Sequence, residues 1–298
     1  MDYKKILKSQ SSRFIILKAL SWVPDTIMVR LQYRIKVGRW PNLKRPTRYT
    51  EKLQLYKMKY RNPLMFQCVD KYEVREYIKA KGLGDTLVPL IGVYDDVKDI
   101  PFEDLPNKFV LKTTDGGGGR AVLVVKDKGA IDWNTKKVEI NEWKNVKDVN
   151  PGREWAYTGI KKSRFIVEEF IDSGTSMLTD YKFFCFYGEP QYLYVVTERN
   201  PGVSAKIGVY DIKFNKLPVA RCDEKKQEYA VSKPENYEEM VKVARQLSKD
   251  FPHVRVDLYN VGGKIYFGEL TFYDGSGYFN YEPDEFDIQL GSYFTEYK

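Results

Sequence analysis

The sequence predicts an α+β chain with antiparallel sheets, and three stretches predict it. Residues 253–272 read as two strands joined at Gly262-Gly263. Residues 180–196 read as a second hairpin, an aromatic strand and an apolar strand about a turn at Gly188-Glu189. Between Pro234 and Asp250, Tyr237, Met240, Val241, Ala244 and Leu247 recur at the spacing of an amphipathic helix. With 298 residues, 43% of them hydrophobic and 15% aromatic, the chain can build two or three lobes around one site.

In chain order, residues 1–45 read as a basic, helical N-terminal extension. Lys4, Lys5, Lys8, Arg13, Lys18, Arg30, Arg34 and Lys36 interleave there with Ile6, Leu7, Phe14, Ile16, Leu20 and Trp22. Packing of this extension on the body is the favoured reading; peripheral membrane contact through residues 1–40 is the alternative. Pro41 and Pro46 mark a linker. Residues 46–105 form a helical and αβ subdomain. A helix is expected near 50–60, and Asn62-Pro63 starts another. Asp70 and Glu73 have the spacing of a capping box. Val74, Tyr77 and Ile78 supply a buried stripe, Gly82 ends it, and residues 87–93 are a short strand.

Residues 106–170 form the next unit. Here residues 108–125 read as strand, glycine loop, strand. Gly116, Gly117, Gly118 and Gly119 cost backbone entropy and pack nothing, but their bare N–H groups suit a phosphate cradle. Lys112 ends an apolar strand, where an unpaired ammonium is costly and a phosphate would satisfy it. A flexible hairpin tip is the plainer reading. Walker A and Rossmann fingerprints are both excluded, because no Gly-Lys-Ser/Thr follows and the glycines open no helix. Residues 130–160 are polar and helical, and residues 164–171 form a strand carrying Glu168 and Glu169. In residues 171–298, Lys182 interrupts the aromatic strand, residues 206–218 suggest a small hairpin, and residues 273–277 form a flexible loop.

The 253–272 hairpin organises this last unit. Arg255, Asp257 and Tyr259 point to one face, while Val254, Val256 and Leu258 point into a core. The turn decides whether Asp257 meets Glu269. A two-residue loop pairs Val261 with Lys264 and separates the acids. A three-residue loop pairs Asn260 with Lys264, setting Arg255 opposite Glu269 with Asp257 beside it; this is the expected geometry, since glycine suits its left-handed position. Adjacent acids repel unless a cation lies between them, and Mg²⁺ takes one or two carboxylates plus phosphate oxygens. A Mg²⁺–nucleotide site with Arg255 on a phosphate is the functional reading, and a cross-strand salt bridge is the plain one.

Composition narrows the partners. Lys+Arg is 49 and Asp+Glu 41, a net charge of +8. That fits nucleotides, acidic glycans or an anionic membrane surface. Nucleic acid is not expected, because no basic cluster interleaves with aromatics in a known pattern. Cys68, Cys185 and Cys222 are far apart and odd in number, which argues against a disulfide framework or zinc site and fits a reducing, cytoplasmic setting. His253 is the only histidine, so any histidine-based triad must use it. No stretch approaches a membrane span, and residues 14–17 are too short for a secretory signal.

Taken in order, the Lys112 strand with Gly116–Gly119, residues 167–171, Asp180-Tyr181-Lys182, Arg255-Val256-Asp257 and Gly268-Glu269-Leu270-Thr271 resemble the ATP-grasp superfamily, in particular its TupA-like members of bacterial surface-polysaccharide gene clusters. The resemblance spans about residues 42–280. It implies an ATP-grasp fold, two α+β lobes sandwiching ATP. Lys112 would bind the α- and β-phosphates, with Gly116, Gly117, Gly118 and Gly119 folding over the γ-phosphate. Glu168, Glu169, Phe170 and Ile171 would form the hinge at adenine. Lys182 and Arg255 would hold phosphates as catalytic groups, and Asp257, Glu269 and Thr271 would bind one or two Mg²⁺ ions. Thr271 stands where most such ligases carry Asn, which puts the second ion in question.

The implied chemistry is a carboxylate–amine ligation through an acyl-phosphate, producing ADP. The implied substrates are a uronic acid or acidic glycan and an amine donor. Asp274, Ser276, Tyr278, Arg153 and Arg199 are candidate substrate contacts, with a solvated loop as the plain reading of each. A glycosyltransferase or an ATP-dependent glycan kinase is the alternative; no Asp-x-Asp motif supports the former, since Asp95 and Asp96 are adjacent.

Overall fold

The computed structural model describes residue 17 and residues 19–116, 121–146, 150, 152–174, 178–198 and 205–295. In chain order the helices are α1 (Asp25–Val37), α2 (Tyr49–Lys59), α3 (Leu64–Val69), α4 (Val74–Ala80), α5 (Trp133–Glu142), α6 (Tyr237–Ser248) and α7 (Glu285–Ser292). The strands begin with β1 (Leu90–Tyr94), β2 (Phe109–Thr113), β3 (Val122–Val125) and β4 (Phe165–Glu169). They continue with β5 (Asp180–Phe186), β6 (Glu189–Thr197), β7 (Lys206–Asp211), β8 (Ala220–Arg221), β9 (Lys225–Lys226), β10 (His253–Val261), β11 (Lys264–Thr271) and β12 (Tyr281–Glu282). The α+β class with antiparallel sheets is as expected.

The chain divides into two compact units, and neither is a single run of sequence. One takes Pro63–Asn150 and Ala156–Asp172; the other takes Met1–Asn62, Pro151–Trp155 and Ser173–Lys298. The sequence reading cuts the chain into consecutive pieces near 45, 105 and 170. The larger unit instead reaches back to the N-terminal helices, because α2 packs on its sheet.

The smaller unit holds a four-stranded antiparallel sheet in the order β1-β4-β2-β3. Alternation along β2 sends Phe109 and Leu111 into the core with Val125, Phe165, Val167 and Ile140 of α5. Lys112 and Glu168 fall on the opposite face. Asp70 half-forms the expected capping box before α4: its Oδ1 accepts from the N–H groups of Tyr72 (2.8 Å) and Glu73 (3.0 Å). The Glu73 carboxylate instead takes the Arg164 guanidinium at 2.5 Å.

The larger unit holds a six-stranded sheet in the order β11-β10-β5-β6-β7-β9, antiparallel apart from β7–β9. The turn between β5 and β6 sits at Tyr187-Gly188, both with positive φ, one residue before the expected position. Amphipathic α6 covers one face, burying Tyr237, Met240, Ala244 and Leu247. Val254, Val256 and Leu258 line that face and are fully buried. The other face carries His253, Arg255 and Asp257, and α2 covers its His253 end. There Nδ1–H of His253 donates to the Cys185 carbonyl (3.0 Å), which leaves Nε2 to accept from the Tyr49 hydroxyl (2.9 Å). Burial pushes the His253 pKa down to about 4. The one histidine is a neutral structural pin.

Candidate functional site

In the larger unit the charged cluster grows from the register of three neighbouring strands. Lys182 on β5 faces Asp257 on β10, and Asp257 faces Glu269 on β11. Both acids share a face, but not through the expected loop. The turn is the two-residue one: Val261 pairs with Lys264, and Gly262 and Gly263 have φ of +57° and +81°. That turn alone would separate the acids. A β-bulge restores them: Leu258 pairs with Phe267 and Asp257 with Glu269, so Gly268 is the extra residue. A Cβ on Gly268 would lie 3.0 Å from the Asp257 carbonyl oxygen and 3.2 Å from the Tyr259 ring. Glycine is what the bulge accepts.

Arg255 lies at the centre of the cluster. Its Nε donates to Asp257 Oδ1 (2.7 Å) and its Nη2 to Oδ2 (2.8 Å). Nη2 also reaches Thr271 Oγ1 (3.1 Å) and Glu269 Oε1 (3.5 Å), and Nη1 donates to Asp274. The Thr271 hydroxyl donates in turn to Glu269 Oε1 at 3.2 Å. Lys182 bonds Asp257 and stands 3.3 Å from Asp180. Arg221 closes the far side, with Nη1 3.2 and 3.1 Å from the two Asp274 oxygens. Cations and carboxylates thus alternate across the sheet, and such pairing is what burial of charge requires. The cluster opens at one end: the Glu269 side chain is 41% exposed, against 5% for Asp257 and 2% for Asp274.

The titration follows from burial and neighbours. For Asp274, burial raises the pKa, but Arg221 and Arg255 outweigh it and hold the carboxyl below its usual value. For Asp257, burial wins over Arg255 and Lys182 and pushes the carboxyl up. Burial works against the charged forms of Lys182 and Arg255 as well, yet their carboxylates raise both.

Oxygen donors gather on this face: Glu269 at the open end, the Thr271 hydroxyl beside it and buried Asp257 facing it. This hard set fits a magnesium ion. Among the described residues no group of three or more His, Cys, Asp or Glu side chains could hold a metal ion alone. A magnesium ion here would complete its shell with ligand oxygens, as it does on phosphates.

The loop after β11 is pinned rather than flexible, correcting the expectation for residues 273–277. Gly275, Ser276 and Gly277 all have positive φ. From α2, Gln54 Nε2 donates to the Ser276 and Gly277 carbonyls (3.1 and 2.9 Å). Lys57 Nζ donates to Ser276 O (2.8 Å) and Gly152 O (2.9 Å). The Lys57 side chain is fully buried, and burial lowers its pKa to about 7. Of the candidate substrate contacts, Asp274 is locked between two arginines and Ser276 donates to Glu154. Arg153 is tied to Asp25 at 3.0 Å. Tyr278 is buried, and its hydroxyl has no hydrogen-bond partner among the described residues. Arg199 lies outside the described residues.

In the smaller unit, Lys112 has a carboxylate partner in the protein itself: Nζ is 2.6 Å from Glu168 Oε2, while Arg75 Nη1 takes Oε1 at 3.2 Å. Glu168 is therefore a shared counter-ion, and Lys112 does not depend on a phosphate for pairing. The N–H of Glu169 donates to the Pro89 carbonyl at 3.0 Å, so that main-chain donor is committed. Phe170 lies with its ring 5.8 Å from Lys108 Nζ, and Ile171 follows β4. Before the glycine run, Lys71 donates to the Gly116 carbonyl and Ser163 Oγ to Asp115 at 2.6 Å. Gly117, Gly118 and Gly119 lie outside the described residues.

Sequence reasoning missed Arg221, Arg75 and the closing role of Asp274. Arg221 stands in the two-residue β8, with no periodic pattern to single it out. Arg75 on α4 reads as a surface helix position. Asp274 carries a weak signal, an acid three residues after the strand that holds Glu269 and Thr271.

The sequence pattern of the TupA-like ATPgrasp family matches residues 51–295. No curated protein matches the chain. Among solved structures, the D-alanine–D-alanine ligase from Bacillus anthracis complexed with ATP is 16% identical, covering 69% of this chain and 55% of its own, with a TM-score of 0.43. The D-alanine–D-alanine ligase from Helicobacter pylori is 15% identical over 78% of this chain and 60% of its own, with a TM-score of 0.42. The biotin carboxylase domain of 2-oxoglutarate carboxylase from Hydrogenobacter thermophilus, in complex with MgADP and bicarbonate, is 17% identical over 69% of this chain and 40% of its own, with a TM-score of 0.39. The chain spans less than two thirds of the length of each of these three proteins.

Proposed function

The chain belongs to the TupA-like ATP-grasp family, and from that premise we propose that it is an ATP-dependent ligase joining a carboxylate to an amine. The observation that carries the reading is the facing pair Asp257–Glu269, with Lys182 and Arg255 on the same sheet face. That combination suits a polyphosphate accompanied by a divalent ion. One or two magnesium ions, when bound, would neutralise charge on the phosphoryl group in transfer. Asp257 and Glu269 would hold the first, and the Thr271 hydroxyl is the remaining donor.

The protein groups have defined tasks. Lys182 and Arg255 offset negative charge on the transferred phosphoryl group. Lys112, oriented by Glu168, binds the inner phosphates. Gly116, Gly117, Gly118 and Gly119 shield the γ-phosphate from water, and residues 168–171 receive the adenine. A substrate carboxylate oxygen attacks the γ-phosphorus and ADP leaves. The amine then attacks the acyl carbon, phosphate leaves, and the amine loses its proton. The net charge of +8 favours acidic substrates, and we assign the carboxylate to a uronic acid of a surface glycan and the amine to an amino acid or peptide. Dependence on ATP fits a cytoplasmic location.

Thermal melting with Mg²⁺–ATP and with Mg²⁺–UDP-sugars tests this reading. ATP at a hundredfold over its Kd should add about 2.7 kcal/mol of apparent stability, and Lys112→Ala should remove it. ADP release should then require a uronic acid and an amine together. ADP release with a neutral glycan alone would make the protein a kinase. Stabilisation by UDP-sugars and not ATP would make it a glycosyltransferase.

A further inference from the structure

α1 buries Met28, Val29, Tyr33 and Val37, as an amphipathic helix packed on a protein does. Its outer side is not simply polar. Ile27, Leu31 and Ile35, four residues apart, form one ridge at 50%, 43% and 52% exposure. Arg30 and Arg34 form the adjacent ridge and are exposed. Trp22 (79% exposed) and Trp40 (59%) stand just before and after the helix. An apolar ridge, flanking arginines and indoles at both ends make up an interfacial helix face, and exposed apolar patches of this kind mark interaction sites.

Charge selects the occupant. Among the described residues of 19–46, the exposed cations are Arg30, Arg34, Lys36, Lys44 and Arg45. The exposed acid there is Asp25, which Arg153 holds at 3.0 Å. A second copy would set these cations against themselves. Residues 1–16 carry Lys4, Lys5, Lys8 and Arg13 against Asp2, so that segment would also meet like charge. An anionic surface is the complementary partner. Tryptophan at both ends of the ridge favours a bilayer, where an indole keeps its ring in the boundary layer and its N–H in the wet headgroups.

We propose that the outer face of α1 docks on an anionic lipid bilayer, with Ile27, Leu31 and Ile35 entering the headgroup boundary and Arg30 and Arg34 meeting lipid phosphates. No helix among the described residues is long and apolar enough to cross a membrane, so the contact is a surface one. It stands independently of the ligase reading.

Co-sedimentation of the full chain with vesicles tests it, comparing pure phosphatidylcholine with a phosphatidylcholine–phosphatidylglycerol mixture. The chain should partition onto the anionic vesicles and release with salt. Leu31→Glu/Ile35→Glu should weaken partitioning about tenfold with an unchanged Tm, since both side chains are exposed. Arg30→Gln/Arg34→Gln should flatten the salt dependence. Should the first pair lower Tm, Ile27→Ser/Leu31→Ser gives the same reading with a gentler change. Equal partitioning onto both vesicles overturns the proposal. So does undiminished anionic binding in the ridge variants, which would assign binding to residues 1–16 or to overall charge. A dimer that the ridge variants dissociate, without vesicle binding, hands the face to a second copy.

Discussion

The Arg255 guanidinium grips the Asp257 carboxylate at two points, Nε to Oδ1 at 2.7 Å and Nη2 to Oδ2 at 2.8 Å. A two-point grip fixes the plane of the acid, which a lysine cannot do. Arg255 therefore orients a metal-ligand candidate. Among the described residues, its removal leaves buried Asp257 with Lys182 alone and buried Asp274 with Arg221 alone. Arg255→Met should cost about 3–5 kcal/mol of unfolding free energy, read as a lower urea midpoint. Arg255→Lys should recover part of that stability and little of the Mg²⁺–ATP stabilisation. Full recovery of both by lysine would show that charge alone, not geometry, is what the site needs.

Glu269 separates function from folding. Its side chain is 41% exposed and faces buried Asp257. Glu269→Gln keeps an oxygen for Thr271 and Arg255, so stability should change by less than about 0.5 kcal/mol. ADP formation should fall by about 100-fold or more, while ATP protection against melting survives in part. Turnover equal to the wild type would remove Glu269 from the metal site.

How much of this was legible depends on the range of the interaction. The alternation that sends Val254, Val256 and Leu258 inward and Arg255 and Asp257 outward is local, and so is the period of α6; both are readable from sequence. The meeting of Asp257 and Glu269 was readable as an outcome but not in its cause, because a bulge at Gly268 looks like any strand glycine. Glu168 reads as a strand-end acid, and only the β2–β4 pairing reveals it as the partner of Lys112, far away in sequence. Arg221 and Asp274 meet through the β8–β12 neighbourhood, where two-residue strands leave no periodic trace. The pinning of residues 274–277 likewise depends on α2, more than two hundred residues earlier. Glycine-rich composition argues for freedom there, and tertiary hydrogen bonds remove it.

The bulge makes Gly268 a specific target. Alanine there would press its Cβ on the Asp257 carbonyl oxygen, 3.0 Å away, and backbone cannot swing aside as a side chain can. Relief by flattening the bulge would shift the register by one and turn Glu269 away from Asp257. Gly268→Ala should cost about 1–3 kcal/mol and abolish the Mg²⁺-dependent part of ATP stabilisation. A variant that is destabilised but still responds to Mg²⁺ would show that the bulge serves packing and not the pairing of the acids.

A pH experiment probes the anchor that carries this geometry back to α2. Asp287 on α7 accepts from the Thr50 N–H (3.0 Å) and the Thr50 hydroxyl (2.6 Å), both on α2. The same helix supplies Gln54 and Lys57 to the loop beside Arg255. Burial pushes the Asp287 carboxyl from 3.8 up to about 6, against the pull of the Thr50 bonds. The folded-state value is the raised one, so the folded protein holds this proton more tightly than the unfolded chain. The resulting stability is fully present below the ordinary carboxyl value and is lost as pH rises through about 6. Asp287→Asn keeps a carbonyl acceptor for Thr50 and does not titrate. The variant should gain on the wild type by roughly 2 kcal/mol between pH 4 and pH 8, measured as the difference in unfolding free energy across that range. A difference that stays flat with pH would mean that Asp287 is ionised throughout and that its two Thr50 bonds, not burial, govern it.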